Sequence, residues 1–345
     1  MFRLRRFIPL GTNEFGLLVA IVVVVTATAV LDAQHAYLTN PGVIVREVLR
    51  STAMLGIFAL GSAIVIIAGG IDLSSGSMIA FSGTVCAATM VLLAPEAMQN
   101  ASPLPRGVVY AAVAAALIAG VLVGTLHAWL INSLGMPPFI ATLGSLVGLR
   151  SAARVIAERT TAMMFETSIG STQIDIFDRY FRTIALNQYI PLGCFLLVTL
   201  LCGFMMRYTV LGRHIYALGG NEEAARLCGI PVRRLKWFVY TLSAVLSAIA
   251  GVIYVADQGV AAPEQLARGY ELNAIAAAVV GGCSLTGGVG RVTGVALGVL
   301  FLRVVIDAVS KLIDTQADMY EGMIVGIVVI LAVALSRRKA GTNAV

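Results

Sequence analysis

The sequence predicts an all-α membrane protein, a polytopic helical bundle of about ten transmembrane helices. Three observations carry that expectation. Hydrophobic residues make up 59% of the 345-residue chain and charged residues only 12%, about half the charge a soluble domain uses to cover its surface. The apolar residues, which give a mean hydropathy of +0.91, gather into stretches about as long as a bilayer core is thick. The Lys and Arg residues behind the net charge of +6 flank alternate stretches, so retention of positive loops inside the cell explains them better than nucleic-acid binding does.

Taken in order, the expected spans are Phe15–Leu31, Ser51–Gly70, Ser77–Ala94, Gly107–Ile131, Phe139–Ile156, Ile190–Met206, Trp237–Val255, Leu272–Leu285, Val292–Ile313 and Gly322–Leu335. The first is followed by no small-residue cleavage site and is read as a retained span. The fourth carries Ala112, Ala116, Gly120 and Gly124 four residues apart, a row that lets helix backbones approach closely. Ser243, Ser247 and Gly251 form a second row, and Gly290, Gly294 and Gly298 a third. The fifth holds Arg150 and Arg154 near its outer end, where snorkelling to the interface accounts for them. In the ninth, Arg303 and Asp307 stand one turn apart, as a structural ion pair or as part of a pathway. The eighth and tenth are short.

Ten spans put both termini on one face. Arg3, Arg5 and Arg6, the 207–237 loop with Arg207, Arg213, Arg226, Arg233, Arg234 and Lys236, and the tail with Arg337, Arg338 and Lys339 all fall on that face. The opposite loops are acidic or balanced. The expected location is the cytoplasmic (inner) membrane, multi-pass, with both termini cytoplasmic. The whole of 1–345 is read as a single transmembrane domain, with the 207–237 loop projecting from it. The five cysteines show no paired spacing and the three histidines are far apart, so no disulfide framework or metal site is expected.

Two glycine-rich breaks stand out. The second span ends in Gly69-Gly70-Ile71-Asp72-Leu73-Ser74-Ser75-Gly76-Ser77. Non-helical backbone at membrane depth is tolerated where protein encloses it or water reaches it, and a carboxylate there is costly. Gly69, Gly70, Asp72, Leu73, Ser74 and Gly76 therefore read as a gate or pathway-forming break; the alternative is a surface turn with Asp72 capping the next helix. A second run, Gly281-Gly282-Cys283-Ser284-Leu285-Thr286-Gly287-Gly288, matches the first at an offset of 212 and hints at an internal repeat. It adds Gly281, Gly282 and Leu285 to the pathway candidates.

The 207–237 loop contains its own short helix. Asn221 is a good N-cap, Glu222 and Glu223 suit the first turn, Ala224, Ala225, Arg226 and Leu227 favour helix, and Gly229 and Pro231 stop it. A helix of about two turns is marginal alone, so neighbouring helices or a docked partner should hold it. A structured, charged projection of this kind suggests a transport subunit worked by a separate motor.

Glu223-Ala224-Ala225 followed four residues later by Gly229 resembles the start of the coupling motif of ATP-binding-cassette importer permeases. The motif's later Ile-x-Leu-Pro part is missing, as it tends to be in the sugar branch. The run from Ala217 to Ile230, the Gly69–Ser77 run and the segment Ala278–Gly290 together resemble the monosaccharide permeases of the ribose, xylose and arabinose type, over roughly 51–335. The resemblance implies a permease subunit, itself not an enzyme, that pairs with a second permease subunit, as a homodimer, in the lipid bilayer. It implies an ATPase subunit seated on Asn221, Glu222, Glu223, Ala224, Ala225, Arg226, Gly229 and Ile230, and a periplasmic or lipid-anchored sugar-binding protein outside. No nucleic acid is among the partners. The chain carries no G-x-x-x-x-G-K-[ST], so no cofactor is expected in it, ATP and Mg belonging to the partner. The cargo would be a monosaccharide or related polyol. Two alternatives remain: a permease of the same superfamily for branched-chain amino acids or nucleosides, and an ion-driven secondary transporter, for which Asp72 and Asp307 are few. A membrane enzyme lacks any catalytic signature.

Overall fold

The computed structural model describes residues 12–32 and 35–312, together with 320, 322–327 and 330. The helices in chain order are α1 (Thr12–Leu31), α2 (Ala36–Thr39), α3 (Pro41–Ile67), α4 (Ser75–Leu93), α5 (Pro95–Gln99), α6 (Arg106–Ser133), α7 (Pro138–Phe165), α8 (Arg179–Leu186), α9 (Tyr189–Tyr208), α10 (Val210–Gly220), α11 (Glu222–Leu227), α12 (Val232–Gln258), α13 (Tyr270–Val280) and α14 (Val292–Leu312). Among the described residues, eight helices are long and apolar enough to cross a bilayer: α1, α3, α4, α6, α7, α9, α12 and α14. They match eight of the first nine expected spans. The tails with Arg3, Arg5, Arg6, Arg337, Arg338 and Lys339, and most of the tenth expected span, lie outside the described residues.

α3, α4 and α12 sit at the centre. Of the apolar window of α3, 89% is buried, against 17% for α7 and 28% for α9. Small residues set the closest crossings. On α6 a Cβ at Gly120 would lie 2.9 Å from the Ala248 Cβ, and one at Gly124 would lie 2.5 Å from Thr241 Cα, so the row seen in the sequence is the α6–α12 contact. Ser243 and Gly251 face the other way, onto Gly61 of α3 and Ile79 of α4. The third expected row is shorter than the sequence implies. Gly294 and Gly298 pack against Gly281 and Ala277, but Gly290 precedes α14 and is not on the helix.

The eighth expected span is a half-length helix. α13 covers 11 residues, about 16 Å at 1.5 Å per residue. The chain reaches it through β2 (Val260–Ala261) and a non-helical stretch in which Ala262, Leu266 and Ala267 are buried. Such backbone needs enclosure and partners, and Arg150 supplies them: its guanidinium donates to the carbonyls of Pro263 at 2.5 Å and Leu266 at 3.1 Å. Arg154 pairs with Glu264 at 2.8 Å. Arg150 thus pins a re-entering loop rather than snorkelling to the interface. The fifth span is longer than expected, because α7 carries Glu158 and Arg159 on its exposed end before stopping at Phe165.

One end of the bundle is closed by a small cap. β1 (Ile174–Asp175) pairs antiparallel with β2. The buried Asp178 accepts the Phe181 N–H at 2.6 Å as the N-cap of α8 and the Leu104 N–H at 2.9 Å. An Arg50–Asp257 ion pair joins α3 to the end of α12. Arg303 and Asp307 turn to different neighbours: Arg303 lies 5.6 Å over the Tyr270 ring, and Asp307 accepts the Tyr37 hydroxyl at 2.6 Å.

Candidate coupling and gating site

The opposite end of the bundle gathers the residues that the sequence singles out. α11 forms as expected. Asn221 Oδ1 accepts the Ala224 N–H at 2.9 Å, satisfying one of the free donors of the first turn. Glu222 and Glu223 lie in that first turn. Glu222 binds Arg226 at 3.1 Å and Lys236 of α12 at 2.8 Å, which fastens the helix to the bundle. The C-terminus closes with Gly229 at φ 78° and the Ile230 N–H on the Ala225 carbonyl at 3.1 Å, a left-handed terminator that suits glycine. Ala225 faces inward, whereas Glu223, Ala224, Arg226, Leu227 and Cys228 are exposed, Leu227 at 87%.

Both glycine breaks end helices with the same motif. In α3 the Gly69 φ is 84° and the Gly70 N–H reaches the Val65 carbonyl at 2.9 Å; in α13 the Gly282 φ is 92° and the Cys283 N–H reaches the Ala278 carbonyl at 2.9 Å. The two terminators therefore correspond at an offset of 213, Gly69 with Gly282, and not at the 212 that the sequence alignment suggests. Glycine bias in both runs made the one-residue slip invisible to residue matching.

The breaks meet the end of α10 backbone to backbone, which the sequence did not reveal. The Gly288 N–H donates to the Ile67 carbonyl at 2.9 Å. A Cβ on Gly219, at the end of α10, would collide with that carbonyl oxygen and lie 2.6 Å from Gly288 N. A Cβ on Gly287 would come 2.5 Å from the Gly219 carbonyl oxygen and 2.8 Å from Gly69 Cα. The end of α3, the end of α10 and the turn before α14 are thus packed without side chains between them. The only chain between this junction and α11 is Asn221, since α10 ends at Gly220 and α11 begins at Glu222. Glycines 219, 287 and 288 belong to this site, and only their spatial convergence identifies them.

Asp72 is 2% exposed. Its carboxylate accepts the Ser74 N–H at 2.9 Å, the Ser74 hydroxyl at 2.6 Å and the Ser243 hydroxyl of α12 at 2.7 Å. It ties the break to α12 instead of capping α4 from a surface turn. Thr142 of α7 donates to the Ile71 carbonyl at 3.3 Å. Gly76 leaves room for Glu271 of α13, whose carboxylate a Cβ there would strike. Among the pathway candidates Asp72, Ser74, Gly76 and Gly281 are buried, Gly70, Leu73 and Gly282 are half-buried, and Gly69 and Leu285 are exposed. No cluster of His, Cys, Asp and Glu able to hold a metal occurs among the described residues.

A groove of about 950 Å³ runs beside α11, bounded by the Gly135–Pro138 turn between α6 and α7 and by Arg226, Arg233, Arg234 and Lys236. Asn132 bridges its wall by donating to the Arg233 carbonyl at 3.1 Å.

A family profile described as branched-chain amino acid transport system / permease component matches residues 44–333. The chain is 34% identical over 336 residues to the ribose import permease protein RbsC of Escherichia coli K12, covering 97% of both chains. It is 30% identical over 329 residues to the D-allose transport system permease protein AlsC of the same strain, covering 94% of this chain and 92% of that one. With the L-arabinose ABC transporter permease protein AraH of Azospirillum brasilense it shares 33% identity over 289 residues, 84% of this chain and 78% of that protein. No solved structure matches it.

Proposed function

We propose a function from one premise: the chain belongs to the branched-chain amino acid transport system / permease component family. It is the membrane-spanning subunit of an ATP-binding-cassette importer and carries a monosaccharide or related polyol across the inner membrane. The observation that carries the sugar assignment is that relatives named for ribose, allose and arabinose align over most of the chain. Physics agrees with a neutral cargo. A sugar's hydroxyls would lose their hydrogen bonds in hydrocarbon, so the pathway needs small and polar groups.

α11 is the element on which a separate ATPase subunit acts, with Glu223, Ala224 and Leu227 presented to it. The glycine junction supports this reading, because it leads from α11 to both breaks. ATP and Mg are held by that partner. The face carrying α11 is cytoplasmic, as the arginines and lysines around it suggest, and a sugar-binding protein docks at the β1–β2 end. The exposed side of α7, with Gly144, Gly148 and Ser151, is the surface that a second copy of the chain covers, and the pathway lies there.

The family description names branched-chain amino acids, which gives the second reading its footing. Uptake of radiolabelled pentoses and hexoses against leucine, in cells expressing the chain with its ATPase and binding protein, separates the two. Sugar uptake is expected; leucine uptake alone would reverse the assignment. Replacing Glu223 or Gly229 is expected to abolish uptake and stimulation of the ATPase while the protein remains in the membrane. Normal uptake by both variants would remove α11 from this role.

A further inference from the structure

We propose that the cleft where α9 ends and α10 and α14 begin binds the headgroup of an anionic phospholipid. The cleft holds about 500 Å³, and three guanidinium groups line it: Arg207, Arg213 and Arg291. The buried Glu14 of α1 is also there, but it is already engaged. It accepts the Thr293 hydroxyl at 2.5 Å and meets Arg291 at 3.5 Å. Arg207 and Arg213 have no carboxylate partner among the described residues. Of the cations beside α11, Arg226 and Lys236 share Glu222, whereas Arg233 and Arg234, like Arg207 and Arg213, have no carboxylate partner among the described residues. Two guanidiniums without a carboxylate in one recess, that of Arg207 lying 5.4 Å over the Tyr208 ring, with a third half-compensated, favour a phosphate, which arginine binds through paired hydrogen bonds.

The apolar flank makes the ligand a lipid. On α9, Leu196, Leu200, Gly203 and Arg207 fall along one helix face, and Leu196 and Leu200 are 54% and 71% exposed. A phosphodiester held by the arginines therefore has a smooth apolar wall beneath it on which acyl chains can lie. A soluble anion would use the charged mouth and leave that wall bare. Basic recesses between membrane helices at the inner surface suit anionic headgroups.

The cleft is coupled to the site already described. Tyr216 of α10 donates its hydroxyl to the Gly290 carbonyl at 2.8 Å and so braces the cleft wall. One turn further along α10, Gly219 enters the glycine junction. A bound lipid thus steadies the base of the lever that carries α11.

The test titrates the detergent-purified full chain with phosphatidylglycerol bearing a fluorescent acyl chain, and with phosphatidylcholine of the same chains. Preference for phosphatidylglycerol is expected, weakening as salt is raised. Arg207→Gln with Arg213→Gln should lower affinity at least about tenfold, and Arg207→Lys with Arg213→Lys, which keeps the charge but not the paired hydrogen bonds, should lower it by less. The salt series on the unaltered protein needs no variant to fold. Equal affinity for the two lipids, undiminished binding by the Gln pair, a Lys pair weaker than the Gln pair, or indifference to salt would each overturn the proposal. Displacement by millimolar inorganic phosphate would make the cleft a free-anion site and overturn it too. The proposal rests on the cytoplasmic placement of this end only for the leaflet concerned. Solubilised protein has no leaflets, so a failure here leaves the transport reading untouched.

Discussion

Asp72 shows how a single side chain joins local and tertiary structure. Its three accepted hydrogen bonds, two from Ser74 and one from Ser243, place a carboxylate where an uncompensated one would be expensive. Ser243→Ala should therefore cost about 1–3 kcal/mol, read as a lowered thermal midpoint in detergent; an unchanged midpoint would show the bond to be idle. Asp72→Asn keeps the shape and loses the charge, and should impair transport more than expression. Unchanged transport at normal expression would reduce the residue to a turn former. Two glycine substitutions separate two physical causes. Gly229→Ala has open space around it but a φ of 78°, so its cost is conformational, about 1–2 kcal/mol. Gly219→Ala drives a methyl group into the Ile67 carbonyl, and should disrupt the junction more severely by unfolding and uptake measurements. If Gly219→Ala were the milder variant, the backbone packing described here would be wrong. Asp72 and Gly229 were legible as residues because each sits in a local signal, a polar break and a helix stop. Gly219 was not, because what makes it necessary is Ile67 and Gly288, each about 70 or more positions away by its number.

At the scale of elements, the helix inside the 207–237 loop was readable in full, since cap, first-turn acids and glycine stop all act within ten or so residues. Its cap offers a graded test. Asn221→Ala should cost about 1 kcal/mol of local helix stability and weaken ATPase stimulation several-fold without affecting membrane insertion; full stimulation would mean that α11 folds on its partner regardless of the cap. Long apolar runs were equally readable as spans. Several features resisted, among them α10, which fills part of the stretch read as loop. α13 looked like a span because its apolar residues continue past Val280, and only the Gly281-Gly282 terminator and the buried, Arg150-bound stretch before Tyr270 make it half a helix. The end of α7 looked like loop because Glu158 and Arg159 are charged, although at a helix end both can reach water. The repeat between the two breaks was visible, but its register depends on which glycine takes the left-handed conformation, and residue identity does not report that.

For the molecule as a whole, composition and loop charge gave the class, an inner-membrane bundle with one basic face, and the family relationship supports it. What no pattern could supply is convergence: three glycine-rich segments from distant parts of the chain meeting beneath α11, and helices such as α1 and α7 left mostly uncovered beside the buried α3, α4 and α12. Both arise from packing between segments whose separation in sequence carries no signal of their proximity. They give the account its central claim, that this bundle does no chemistry and is moved through α11 by nucleotide hydrolysis in another subunit. The most direct measurement is accumulation of labelled sugar in vesicles holding the chain alone, and in vesicles holding it with its ATPase and binding protein under ATP. The account predicts accumulation against the gradient only in the complete system, and its loss there when Glu223 is replaced. Uphill accumulation by the chain alone would contradict it.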